Sequence, residues 1–403
     1  MKIVGRIAHV VRRAPPGTRL AVAASAIGIA WACTVGTTPH DEYDPLRLEV
    51  TTSIADNVIG PTYAEFDIAA DALVAATAAW ANAVGSGGDG EAERMAAQES
   101  WNAAMLVWQR AELVQLGPAG VSAFHVGGAE LRDEIYSWPT VSACRVDEEI
   151  VAGSYADPSF FTESLVNVKG MAAIEYVLFV DVPDNACAST DPINASATWD
   201  ALGVEEVARR RSAFAAAAAV HVAGVAQTLA DAWKPGAGEF AIGLRTAGEP
   251  GSPYASPIAA LDEIASAMLY VDTRVKDIKL AATSAEEVES VWAHRSKEHV
   301  VANLEAVRLI VLGGPTPEAG TGFDDFLRER GEDRLADDLL VAIDDAIAAA
   351  QAVSPSFEEA LASDPAALAN AHAVAAELST LIKTDLVLAL SLSPPGEGAG
   401  DID

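Results

Sequence analysis

Val168-Lys169-Gly170-Met171-Ala172-Ala173-Ile174-Glu175-Tyr176-Val177-Leu178-Phe179 places one carboxylate in an otherwise apolar run. Read as a helix, the stretch sets Glu175 against Met171, Ala172, Leu178 and Phe179 at the three- and four-residue spacings. All four are hydrophobic. A carboxylate there loses its water, which costs several kcal/mol unless it is paired, bound or protonated. Glu175 therefore needs a specific partner, either in a structural ion pair or in a site that takes a ligand.

The same helical periodicity runs through the chain. Apolar stripes predict helices over 63–84, 91–116, 161–180, 204–233, 257–282, 296–312, 333–353 and 365–392. Trp101, Met105, Trp108 and Glu112 share one stripe, and Leu261, Ile264, Met268, Val271, Val275 and Ile278 share another. Gly117-Pro118 stops the second helix, and Ser363-Asp364-Pro365 offers a capping residue before a proline at the first helical position. No segment sustains the alternation of a strand. The fold expected is all-α, with two up-down helical bundle domains packed side by side and long ordered loops. The glycines of 85–90 form a plain connector, since no strand-to-helix phosphate motif follows them.

The N-terminus reads as an export signal. Lys2, Arg6, Arg12, Arg13 and Arg19 precede an apolar run over 20–32, about 13 residues and too short to span a bilayer comfortably. Ala30-Trp31-Ala32-Cys33 fits either an A-x-A cleavage site or a degenerate lipobox with Cys33 acylated. We expect lipidation at Cys33, because a polar stretch suited to a tether follows it. The boundaries expected are signal and lipobox 1–33, tether 34–60, N-terminal bundle 61–235, linker 236–256, C-terminal bundle 257–395 and acidic tail 396–403. Export leaves Cys144 and Cys187 as one pair in an oxidising compartment, where a disulfide is the default.

The whole chain of 403 residues carries a formal charge of −32. Five of its 26 basic residues and none of its 58 acidic ones lie in 1–33, so the mature chain has 21 basic residues against 58 acidic ones, a formal −37. Such a chain repels nucleic acid and suits a soluble extracytoplasmic surface. The partner expected is a membrane, reached through the lipid anchor.

Two further acids share the oddity of Glu175. Asp385 has Leu381, Ile382, Leu388 and Ala389 at its helical neighbour positions, and Glu112 continues the Trp101 stripe. Lys169, Arg274, Lys279 or a histidine could satisfy these carboxylates, or they could gather round a cation. None of the histidines (His9, His40, His125, His221, His294, His299, His372) forms H-E-x-x-H, and no C-x-x-C occurs. The strong zinc signatures are therefore missing. The polar segment Glu289-Ser290-Val291-Trp292-Ala293-His294-Arg295-Ser296 between two helices could deliver His294 and Ser296 to a cleft, while Ser296 could equally cap the next helix. Nothing supports a Ser-His-Asp triad.

Several stretches together resemble one family. They are Ser100-Trp101 through Glu112 to Gly117-Pro118, Ile135-Tyr136-Ser137-Trp138-Pro139, Lys169-Gly170 with Ile174-Glu175-Tyr176-Val177-Leu178-Phe179, Asp277 with Lys279-Leu280, Glu289 to Ser296, Asn303-Leu304, Thr384-Asp385 and the closing Gly400-Asp401-Ile402-Asp403. The chain resembles the imelysin-like family of bacterial periplasmic and outer-membrane proteins over nearly its whole mature length. The resemblance implies two helical bundles, export to the periplasm or outer membrane, and a part in iron uptake or regulation, with iron-uptake proteins as partners. It also implies a classification with metallopeptidases. The family's hallmark is G-x-H-x-x-E, proposed to bind metal. Gly170 and Glu175 match it, but Ala172 stands at the histidine position, which removes a nitrogen ligand. The reading that follows is a non-enzymatic binding protein with a cleft of Glu112, Gly170, Glu175, Lys279, Glu289, His294, Ser296 and Asp385. The alternatives are a scaffold without ligand chemistry and a metallopeptidase. The cofactor to expect, if any, is a divalent metal or iron held by Glu175, Glu112 and His294.

Overall fold

The long alanine-rich stretches leave little choice of secondary structure, since alanine forfeits no side-chain entropy in a helix. The structure is a computed structural model describing residues 41–181 and 183–393. Among these residues there is helix and loop and no strand, so the chain is all-α. The principal helices are α1 (Asp44–Ile54), α2 (Gly60–Gly85), α3 (Glu91–Glu112), α4 (Gly170–Phe179), α5 (Thr198–Ala232), α6 (Pro257–Met268), α7 (Ser296–Leu312), α8 (Asp333–Ala352) and α9 (Pro365–Thr380). Short helices and loops connect them. The expected signal 1–33, Cys33 and the acidic tail 396–403 lie outside the described residues.

Helix α2 packs along both α3 and α5, α4 lies against α5 and α3, and α7 bridges α3 to α8. The contact between α3 and α7 joins the first half of the sequence to the second. From Glu42 on, the described residues form one compact unit. The core runs through it, with Trp101, Trp108, Phe66, Tyr136 and Phe214 at 0 % exposure. Full burial of a large apolar side chain contributes roughly 1.5–3 kcal/mol.

Two expectations fail at the edges of the predicted domains. The tether expected at 34–60 is helical from Asp44, and Val50 and Ile54 sit in the core. Buried positions at helical spacing (Arg47, Val50, Thr51 and Ile54) behind a proline at the start of α1 outweigh the polar composition just before it. The linker expected at 236–256 contains the helix Glu239–Arg245 with Ala241 and Leu244 buried. Thr51 of α1 donates to the Leu244 carbonyl at 3.4 Å, tying these two segments together.

Among the described residues three π-helical stretches interrupt the regular helices: Ala55–Ile59, Val271–Lys279 and Leu381–Leu386. Bonding to the fifth residue instead of the fourth shifts the phase of everything beyond it. Asp385 lies in the third stretch and is exposed, not inward as a 3.6-residue wheel predicts. The buried acid of that neighbourhood is Asp272, which accepts from Ser379 at 2.6 Å and pairs with Lys276 at 3.0 Å and Lys383 at 3.1 Å.

Cys144 and Cys187 are joined in a disulfide. It ties the short helix Ala143–Ala152 to the loop before α5, across a sequence separation of 43. In the chain-entropy account such a loop stabilises by about 3–4 kcal/mol. Titration of the denatured, unreduced mature protein should find neither cysteine as a free thiol, and reduction should lower the unfolding midpoint in urea. An unchanged midpoint after full reduction would contradict the entropic role.

Candidate functional site

Helix α4 is fixed at its start. Gly170 has φ +78°, and a Cβ there would lie 2.5 Å from the Ile135 carbonyl oxygen. Glycine is the residue that meets both demands. Just before it, Lys169 is buried, donating to the Phe161 carbonyl at 2.8 Å and pairing with Glu134 at 2.6 Å. Trp101 of α3 donates to the Met171 carbonyl at 2.9 Å. These contacts set the rotation of α4 and turn Glu175 inward at 0 % exposure.

Glu175 is held by the segment before α7. Its Oε1 accepts from Ser290 Oγ at 2.8 Å, Ala293 N at 2.9 Å and Trp292 N at 3.3 Å. Its Oε2 has no hydrogen-bond partner among the described residues. Burial pushes the carboxyl up to about 8; the Ala293, Ser290 and Trp292 bonds pull the other way, and Glu289 adds to the rise. Ser290 N in turn donates to Ser296 Oγ at 2.9 Å, and Ser296 Oγ donates to Glu358 at 2.6 Å. Ser296 is thus a buried link and the first residue of α7, not a side chain delivered to a cleft.

Beside this chain lies a second buried group. Lys279 Nζ, at the end of the π-helix Val271–Lys279, contacts Gln109 Oε1 at 2.6 Å, Asn303 Oδ1 at 2.8 Å and Glu289 at 2.9 Å. Gln109 also donates to Glu289 at 2.9 Å, and His299 Nδ1 stands 3.4 Å from its other oxygen. Burial alone would raise Glu289, but Lys279 and His299 outweigh it and hold the carboxyl below its usual range. Glu112 pairs with Arg132 at 3.1 Å and lies 3.8 Å from Lys279. The Tyr136 hydroxyl, without a hydrogen-bond partner among the described residues, is pushed up by burial and then by Glu289, Glu175 and Glu112.

The structure therefore gathers Glu112, Glu175, Lys279, Glu289 and Ser296 in one buried polar layer, with Gly170 at its edge. His294 and Asp385 are both exposed and stand apart from it. His294 is a correction: its φ of +56° and the bond from its N to the Ser290 carbonyl turn it outward at the end of the segment. The histidine in the layer is His299. Ser296, His299 and Asn303 make a polar stripe three and four residues apart on an apolar helix, which was the readable sign of it. Arg132, in the single-turn helix Leu131–Ile135, carried no such sign, since five residues are too few to show a periodic stripe. Of the expected partners, Lys169 goes to Glu134 instead.

Above the layer is a cavity of about 590 Å³. Its lining includes Trp138, Pro139 and Val141, Ile278, Val288, Val291 and Trp292, and Ala172 and Glu289 from the layer. Ala172, buried at 2 % exposure, touches this cavity one helical turn before Glu175.

The family profile of imelysin, peptidase family M75, matches residues 59–384. The chain belongs to the imelysin family. Its fold is similar to that of a protein described as an iron-regulated protein A precursor from Parabacteroides distasonis, with a TM-score of 0.67 and 18 % identity over 88 % of this chain and 96 % of that one. An imelysin-like protein from Psychrobacter arcticum has a TM-score of 0.65 and 17 % identity over 87 % and 98 %. No curated protein matches the sequence.

The donors at the imelysin motif of this chain do not fit a metal ion. Ala172 offers no ligand atom, Glu175 has only Oε2 to offer because Oε1 is committed to three donors, and His294 faces solvent, so one carboxylate oxygen is left where an ion needs several ligands. Among the described residues the only trio of His, Cys, Asp or Glu whose ligand atoms lie within 4.8 Å of one another is Cys144, Cys187 and Asp191. Two of its sulfurs are bonded to each other.

Proposed function

We propose that this chain is an exported, lipid-anchored member of the imelysin family, which serves iron-related binding or uptake without peptidase chemistry. The observation that carries this reading is Ala172: where the family motif has a histidine, this chain has a methyl group lining a cavity of about 590 Å³. That volume suits a small molecule. The iron link is supported by the name of the Parabacteroides distasonis structure, an iron-regulated protein A precursor.

Deletion of the gene should slow growth on limiting iron. The wild-type gene should restore it and Ala172→Trp, which fills the cavity, should not. Equal growth of the deletion strain would overturn the iron reading. Protein purified without chelators or an affinity tag should carry well under one metal ion per chain, and a stoichiometric ion would show that a metal site forms after all. Cys33→Ser should release the protein from membranes into the soluble extracytoplasmic fraction. A wild type already wholly soluble would remove the anchor.

A further inference from the structure

We propose that the cavity over Ala172 binds a small organic cation, an ammonium group carried on an apolar or planar body. This rests on the cavity being the binding site of the preceding reading, and it adds the ligand class. Two tryptophans, Trp138 and Trp292, line the space with Pro139, Val141, Ile278, Val288 and Val291. Every charged residue on its wall is acidic, namely Asp277, Glu286, Glu287 and Glu289, and none is Lys, Arg or His.

These carboxylates are not equivalent. Glu289 is answered by Lys279, Asp277 pairs with Lys276 at 3.0 Å, and Glu287 accepts from Thr283 at 2.8 Å. Glu286 has neither an ion pair nor a hydrogen bond among the described residues. Charge at the mouth is thus available, and two indole rings line the space. Indole faces attract cations through the ring quadrupole, most strongly once water is excluded. The Trp292 ring is held by Tyr176, with centroids 5.1 Å apart, and its backbone by Glu175, so one wall is fixed before any ligand arrives. A preformed wall saves ordering entropy on binding. An anion would meet four carboxylates and no base, and a neutral apolar body would gain nothing from the carboxylates or from the ring quadrupoles.

The test is titration of the purified full-length mature protein with 2-phenylethylammonium, 2-phenylethanol and 3-phenylpropionate, followed by tryptophan fluorescence and calorimetry. These share a ring and a chain and differ in charge. The ammonium should bind about tenfold more tightly than the alcohol, as expected for one partly desolvated cation–π and carboxylate contact. The carboxylate should not bind. Glu286→Gln, at an exposed position that leaves the fold alone, should weaken the ammonium several-fold and leave the alcohol unchanged. Trp138→Phe should weaken both and reduce the fluorescence change. Equal affinity for all three probes, no ammonium binding at millimolar concentration, or Glu286→Gln indistinguishable from wild type would each overturn the proposal. None of these results bears on growth under iron limitation, so the two readings fail separately.

Discussion

Lys279→Met is expected to cost about 3–5 kcal/mol of stability at neutral pH, because it removes one partner of a buried ion pair and leaves the other charged. Lys279 Nζ is 2.9 Å from Glu289 and makes shorter contacts with Gln109 and Asn303, while Glu112 stands 3.8 Å away. Lys279 and Glu289 are each no more than 2 % exposed, so water cannot replace the lost ammonium. The double variant Lys279→Met/Glu289→Gln should recover more than half of the loss, since the stranded charge goes with its partner. Urea unfolding of the wild type, both single variants and the pair forms the double-mutant cycle. A single variant within about 1 kcal/mol of wild type, or a double variant as unstable as the sum of the two, would show that the layer is not held by this pair.

The cluster was legible in the sequence to the extent that helix phase was. Glu112 and Glu175 sit on regular 3.6-residue helices, α3 and α4, and both turn inward where their stripes predict. Asp385 sits on a π-turn, and its wheel position is off by the residue that the turn inserts. His294 failed for a different reason. Position 294 adopts a left-handed backbone that no local residue type announced, and that turn decides which way the imidazole points. Arg132 and Glu358 come from short connecting elements with no periodic signal, so only the fold could bring them to Glu112 and Ser296. The helix ends were plainer. Asp364 accepts from Ala367 N at 3.2 Å, ahead of Pro365 at the first position of α9. The cavity was legible only as a small residue, Ala172, where the family has a histidine; the other lining residues come from separate loops and helices that nothing local brings together.

Glu175→Gln should make the protein less sensitive to alkaline pH, with the variant gaining on wild type by several kcal/mol between pH 5 and pH 9. Burial holds the folded carboxyl near 8, against an ordinary value of 4.5. Between those values the native state keeps a proton that the unfolded chain has released, so stability is fully present below pH 4.5 and falls as pH rises to 8. Each unit of separation is worth about 1.4 kcal/mol. Glu289 does not mask this slope: its folded value is lowered, so its contribution is complete above its unfolded value and is lost only in acid. Glutamine keeps Oε1 as acceptor for Ser290, Trp292 and Ala293 and never ionises, so the wall of the cavity keeps its anchor while the titration disappears. Chemical denaturation of both proteins across the range gives the difference directly, and it cancels every other titrating group that the two share. A difference that stays constant from pH 5 to pH 9 would mean that Glu175 is ionised throughout in the folded protein. Its Oε2 would then have to be answered by a donor or a cation that the side chains of this layer do not supply.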